Sequence, residues 1–495
     1  MSQLAKKTAG GAAMNIGVTV AKNVGQFLII IPILARILTP EQFGQVAMAM
    51  TFVGFFTMFN DLGISAALVR AEKPSAAFWS SAFWINLAFG ISLTLLAYFT
   101  APLVAAFFKE PVAADLVRAL SIILLLHCAF LVPMAWLQRN YKFQTIAIID
   151  LSGIVLSSIA AVVLALNGYG VWALVWQQII MYAVKALAGL LAHKAPLKVT
   201  FDIEEIKQVF SFSMGLTGTA FVGFINRNTD NLLIGRYLGA DALGFYSRAY
   251  QVMMIPVTTL GGGLSFALYP ALSAVNTDTA RLGRAYVRAV SMLSVIVFPM
   301  LTGLAIVAVP FIDVLFGAQW GPVAPIVQIL AFVGLLQCVG SVANDIWKAR
   351  GRSGLLLRWA MIRTVGFVTA FSIGIYFGEL TAMATAYLIA NIVLLVPFQL
   401  GVLKELNLSA LRFLKSLAPQ FVSTLIMSGG LLSVGTVFPG LQALPSPLQL
   451  LILVSIGAAA YALSMGLFFR RFVRGILNDF HALRSKDRPA ASTNA

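Results

Sequence analysis

Charged side chains are scarce in this sequence: 11% of 495 residues, against about 25% in an average soluble protein. The length would allow several globular domains, but so few charges cannot coat them in water. Acidic residues are scarcer still, with 18 Asp and Glu against 34 Lys and Arg. Cysteine occurs twice, which excludes a disulfide scaffold. Cys128 and Cys338 both fall within apolar runs and read as small buried hydrophobes. The three histidines form no His/Cys/carboxylate set with metal-ligand spacing, and no Gly-rich loop precedes Gly-Lys-Ser/Thr. No metal or other cofactor is expected, and enzyme chemistry has little support.

Long polar connections are missing too. The largest are the loop around His193–Gln208, with Asp202 and Glu205 at capping-box spacing, and the tail after Arg470. Function therefore has to reside within the apolar part. That part is extensive: 60% of residues are hydrophobic and the mean hydropathy is +0.90. The apolar runs are continuous rather than alternating, which excludes a transmembrane β-barrel. The run after Lys6 and Lys7 is too long for a signal peptide and reads as the first span.

A window of about 20 apolar residues predicts an all-α polytopic membrane protein of about fourteen spans. The first six are 14–38, 44–69, 80–104, 118–138, 144–167 and 171–192. The next six are 211–235, 243–272, 287–309, 323–347, 355–377 and 380–402, and a last pair is 416–438 and 448–469. Twenty-five of the 34 basic residues fall in alternate connections and only five (Arg36, Lys109, Arg118, Arg236 and Arg248) in the others. Such a bias over short loops puts both termini in the cytoplasm. It also explains the net charge of +16 without nucleic acid as a partner. Aromatics near span ends, such as Trp79, Trp84, Trp136 and Trp172, read mostly as an interfacial belt.

An offset of 200 residues aligns Ala35–Gly44 with Gly235–Gly244, matching Arg36/Arg236, Leu38/Leu238 and Gly44/Gly244, with Ala49/Ala249 beyond. Six spans per repeat preserve orientation, as in transporters built from two parallel halves. The expected organisation is an N-terminal half over 1–200, a C-terminal half over 201–403, an added pair over 404–470 and a tail over 471–495. In the first copy Thr39 suits an N-cap, with Pro40 at the first helical position and Gln42 closing a capping box. Pro32, Pro133, Pro256, Pro299 and Pro397 inside spans fit either a moving bundle or close packing.

The aligned segments, with Asp61-Leu-Gly-Ile-Ser-Ala-Ala-Leu-Val-Arg70 and Asn228-Thr-Asp-Asn-Leu-Leu-Ile-Gly-Arg-Tyr through Tyr250, resemble the polysaccharide transporter family. This is the Wzx-type flippase branch of the multidrug/oligosaccharidyl-lipid/polysaccharide exporter superfamily, and the likeness is strongest to colanic acid and succinoglycan-type exporters. The resemblance implies a bacterial inner-membrane protein that flips a polyprenyl-pyrophosphate-linked oligosaccharide, alongside membrane lipids and polysaccharide polymerase or chain-length machinery. A lipid II flippase and a drug/cation antiporter of the same superfamily are the alternatives. A membrane polysaccharide polymerase would be expected to carry a sizeable periplasmic loop.

Intramembrane charge is costly and usually faces a cavity or a partner. Asn15, Lys22 and Gln26 share one face of the first span; Arg227 shares a face with Gly223 and Asp230 in the seventh. Lys22, Arg227, Arg363 and Gln26 are the expected cavity residues for a pyrophosphate, Arg as a bidentate fork and Lys as a mobile point charge. Alternatively, Arg227 pairs with Asp230 and Lys22 snorkels to the interface. Asp61 is a candidate for ion coupling or charge pairing; Lys185 reads as snorkelling, and Asp150 and Asp345 as caps or loop pairs.

Overall fold

The computed structural model describes residues 25–61, 75–193, 221–261 and 278–470, together with Leu68 and Leu272. All regular structure among these residues is helical. In chain order the helices are α1 (Gln26–Ile37), α2 (Pro40–Asn60), α3 (Ala76–Phe108), α4 (Val112–Arg139), α5 (Phe143–Leu166) and α6 (Val171–Ala192). They continue with α7 (221–237), α8 (Gly239–Pro256), α9 (Thr279–Ile306) and the short α10 (Ala308–Phe316). The series ends with α11 (Val323–Ala349), α12 (Ser353–Tyr376), α13 (Leu380–Glu405), α14 (Ala410–Val437) and α15 (Ser446–Phe468). Eleven helices are long and apolar enough to cross a bilayer among the described residues. Several outrun their apolar windows: α3 spans 33 residues and α9 begins at Thr279.

Compact packing divides the chain into two units. The first comprises Met1–Gln251, Leu315–Val323 and Leu357–Tyr387. Here Asn86 of α3 donates to the Cys128 carbonyl of α4 at 2.9 Å, a bond hidden from lipid. Lys185 of α6 lies across Gly153 of α5, where a Cβ would sit 3.2 Å from the Lys185 stem. The glycine lets the ammonium reach Asp150 at 2.8 Å, so these two residues pair with each other between helices. Trp79 is buried at 5% exposure with Phe83, Val132 and Ala135, and Trp84 and Trp136 pack against this group. The expected aromatic belt is thus partly an interior cluster, while Trp172 is exposed. Large apolar side chains such as Phe99, Leu103 and Ile148 are exposed on the outer faces, as lipid contact requires.

The second unit comprises Val252–Val314, Ala324–Leu356 and Leu388–Ala495. Its helices are tied by buried polar contacts: Gln420 donates to the Ser291 carbonyl at 3.1 Å, and Ser464 meets Ser423 at 3.0 Å. Interhelical bonds of this kind contribute about 0.6 kcal/mol each in membranes. At one end, the Arg350 guanidinium lies 3.8 Å from Glu405 and donates to Thr279 at 2.6 Å.

Candidate substrate cavity

Two tight turns define one end of the first unit. Leu38 and Thr39 connect α1 to α2, and Leu238 connects α7 to α8. Thr39 accepts from the Gln42 backbone at 3.3 Å while Gln42 accepts from the Thr39 backbone at 3.0 Å, completing the capping box. With these helix starts fixed, α2 and α8 cross almost backbone to backbone. A Cβ at Gly44 would lie 1.8 Å from the Ala240 carbonyl oxygen, and one at Gly244 would lie 2.0 Å from that of Pro40.

The same end is closed by side chains that meet open helix termini. The last carbonyls of a helix lack intrahelical partners. Trp320 donates from Nε1 to the Ala35 carbonyl at 2.8 Å, and Gln319 donates to Ala35 at 2.5 Å and to Leu38 at 3.3 Å. Trp320 is fully buried, edge-on to Phe43 with centroids 5.4 Å apart. Correspondingly, Arg236 donates to the Phe107 carbonyl at the end of α3 and lies over the Phe107 ring at 5.7 Å.

Beneath this closure lies a cavity of about 340 Å³, within the size range of small-molecule sites. Its wall is unusually rich in amides. Gln26 comes from α1, Gln177 and Gln178 from α6, Asn228 and Asn231 from α7, and Gln251 from α8; Thr51 of α2 adds a hydroxyl. Among the described residues Arg248 is the cation of the wall and no carboxylate lines it. At 1.5 Å per residue these groups stand about 9 to 18 Å from the turns. Both α1 and α8 are irregular beside proline: Gln26–Ile30 is π-helical before Pro32, and Val257–Gly261 is π-helical after Pro256. Such widened turns re-aim side chains at functional sites.

Arg248 was missed by sequence reasoning, which assigned it to a connection. It lies nine residues inside α8, with its guanidinium 4.8 Å from the Phe43 ring centroid. Its Nε is sealed from solvent without a hydrogen-bond partner, and so is Oε1 of Gln251. The signal was present in Arg248 and Gln251 at i, i+3 spacing, both inside the expected span 243–272 as well as the observed helix.

The expected site residues distribute as follows. Gln26 lines the cavity. Arg227 is exposed, and its guanidinium reaches back over Gly223, where a Cβ would lie 3.7 Å away, one turn further from the closure. Asp230 does not pair with Arg227 among the described residues. It is buried, accepting from the Tyr246 hydroxyl at 3.0 Å and from the Asn231 backbone at 2.8 Å. Arg363 lies over the Phe367 ring at 5.5 Å, in α12. Asp61 caps the far end of α2, within electrostatic reach of His127, whose Nδ1 is 3.0 Å from the Asn60 amide. Lys22 lies outside the described residues.

Comparisons with known proteins converge with this geometry. The chain is 30% identical over 488 residues to the succinoglycan biosynthesis transport protein ExoT of Rhizobium meliloti, covering 97% of each chain. It is 26% identical to the lipopolysaccharide biosynthesis protein WzxC of Escherichia coli, covering 79% of this chain and 80% of that one. The teichuronic acid biosynthesis protein TuaB of Bacillus subtilis is 27% identical, over 82% and 84%. Among solved structures, the lipid II flippase MurJ in an inward closed conformation superposes with a TM-score of 0.73 at 16% identity, covering 94% of this chain and 99% of that one. That likeness speaks for the fold alone. Residues 33–325, more than half of the chain, match the family described as polysaccharide biosynthesis protein. Together these place the transporter resemblance of the sequence on firm ground: the chain belongs to the polysaccharide biosynthesis protein family of Wzx-type exporters.

Proposed function

We propose that the protein moves a polyprenyl-pyrophosphate-linked oligosaccharide repeat unit across the bacterial inner membrane, feeding polysaccharide polymerase and chain-length machinery. The observation that carries this reading is the cavity itself. An amide-rich wall with one guanidinium and, among the described residues, no carboxylate suits a polar glycan and argues against a cationic drug. The relatives named for succinoglycan, lipopolysaccharide and teichuronic acid biosynthesis support the same class of substrate.

In this reading the chain has fourteen spans, with α1, α7 and α8 joining the eleven longer helices, and both termini are cytoplasmic. The turn end of the first unit then faces outward. Two six-helix halves, 1–200 and 201–403, alternate access, and the last pair is an addition. The protein is a transporter and not an enzyme. Arg227, Lys22 and Arg363 serve the pyrophosphate as it passes, and Asp61 and Asp230 serve ion coupling or charge balance.

Lipid-linked intermediates in a deletion strain test the proposal. Accumulation of the complete repeat unit on the cytoplasmic leaflet, reversed by the wild-type chain, is the expected result. Normal polymer export without the protein would overturn it.

A further inference from the structure

The cavity wall is poorly matched to a phosphate. A pyrophosphate only accepts hydrogen bonds, so a site built for it presents donors, above all Arg and Lys. Among the described residues one guanidinium stands among six amides, and one of its faces is covered by Phe43. Amides both donate and accept, as sugar hydroxyls do.

The two unsatisfied groups sharpen this. Nε of Arg248 is a buried donor without an acceptor, and Oε1 of Gln251 is a buried acceptor without a donor. They lie three residues apart on α8 and line the same cavity. A buried acceptor needs an N–H or O–H, which a phosphate oxygen does not supply. When the two side chains rotate to present these atoms to the cavity, neighbouring hydroxyls on a pyranose ring supply both halves: one oxygen accepts from Arg248 while the other hydroxyl donates to Gln251.

Position supplies the rest. Towards the turn end the cavity wall includes Phe43, which packs against Trp320 and adjoins the crossing glycine Gly44. Its volume of about 340 Å³ admits the tip of a glycan and not a whole repeat unit. The polyprenyl chain stays in the bilayer with the pyrophosphate beside it. The part of the substrate that reaches the turn end is the part remote from the lipid. We infer that Gln251, Arg248 and the facing amides of Gln178 and Asn231 form a subsite for the sugar farthest from the lipid, read through its hydroxyl groups. The inference rests on the flippase reading and adds where and how the glycan is recognised.

The test uses the full chain in proteoliposomes and two substrates isolated from cells. One is the polyprenyl-pyrophosphate lipid bearing the complete repeat unit; the other bears its first sugar only. Gln251→Met keeps the side chain's size and removes the acceptor, and Gln251→Glu restores it. Gln251→Met is expected to slow transport of the complete unit about tenfold, the scale of one unpaired buried group. The single-sugar lipid should move at the wild-type rate. Gln251→Glu should recover most of the loss. Equal losses on both lipids, or no loss on either, would overturn the subsite. Wild-type protein that moves neither lipid would instead defeat the flippase reading, and the subsite with it.

Discussion

Gly44 and Gly244 occupy each other's crossing point: each sits where a side chain would collide with the first turn of the opposite helix. A methyl group at Gly44 would lie 1.8 Å from the Ala240 carbonyl, and one at Gly244 would lie 2.0 Å from that of Pro40. The contacts are reciprocal because Ala240 stands in α8 where Pro40 stands in α2, at the same offset of 200 residues that relates the two glycines. Backbone cannot yield as a flexible side chain does, so Gly44→Ala forces α2 and α8 apart. Overpacking of this kind costs about 1–3 kcal/mol or more. Both native cysteines are buried, so a cysteine placed at Phe43 reports on this end alone. Gly44→Ala and Gly244→Ala should each raise its labelling by an impermeant maleimide added outside the cell several-fold. Unchanged labelling in a stably folded variant would contradict the crossing as the closure.

Trp320 and Gln319 share one acceptor, the Ala35 carbonyl. Trp320→Phe keeps the ring against Phe43 and removes the N–H, while Gln319 still donates. The expected loss is about 1 kcal/mol, typical of a single hydrogen bond. Adding Gln319→Ala leaves the carbonyl without either donor, so the double variant should lose more than the two single losses together. Thermal unfolding of the purified protein measures all three, and strict additivity would show that the two donors act independently.

The sequence made the helices legible because apolar runs of membrane length have few alternative structures. The cap at α2 was equally legible, since Thr39, Pro40 and Gln42 act within one turn of chain. The cavity was less so. Gln177, Gln178 and Asn231 carry no local signature, and only the tertiary fold brings them from α6 and α7 to one cavity. Arg248 was lost because it was counted with the connection before the eighth span, although it lies five residues inside the expected range 243–272. Trp79 was misread because an aromatic near a span end can face lipid or a neighbouring helix with the same sequence context. Lys185 and Asp150 each had a plausible solitary role, and their pairing depends on contact between α5 and α6.

Arg248 also separates function from stability. Its Nε has no acceptor among the described residues, so burial of that donor is a cost to the fold. Arg248→Met preserves much of the stem and its contact with Phe43. It should leave thermal stability unchanged or slightly raised while reducing export by at least about tenfold, the pattern of a binding residue held at the expense of stability. Arg248→Lys keeps the charge but not the planar fork, and should fall between the two. A variant that loses stability and export in parallel would show that the guanidinium serves the fold.

Lys185 and Asp150 form an ion pair at 2.8 Å between α6 and α5, with side-chain exposures of 16% and 25%. This is more shielded than a surface pair, whose worth is usually below about 1 kcal/mol. Removing either partner breaks this ion pair beside apolar helices, and the lost pairing dominates the cost. Lys185→Met and Asp150→Asn should therefore each destabilise the protein by about 1–3 kcal/mol, less than a fully buried pair would. The double variant removes both charges and should be more stable than either single one. A double-mutant cycle on thermal unfolding reads this directly. If the double variant is the least stable of the three, the two side chains stabilise the fold independently and the desolvation argument fails.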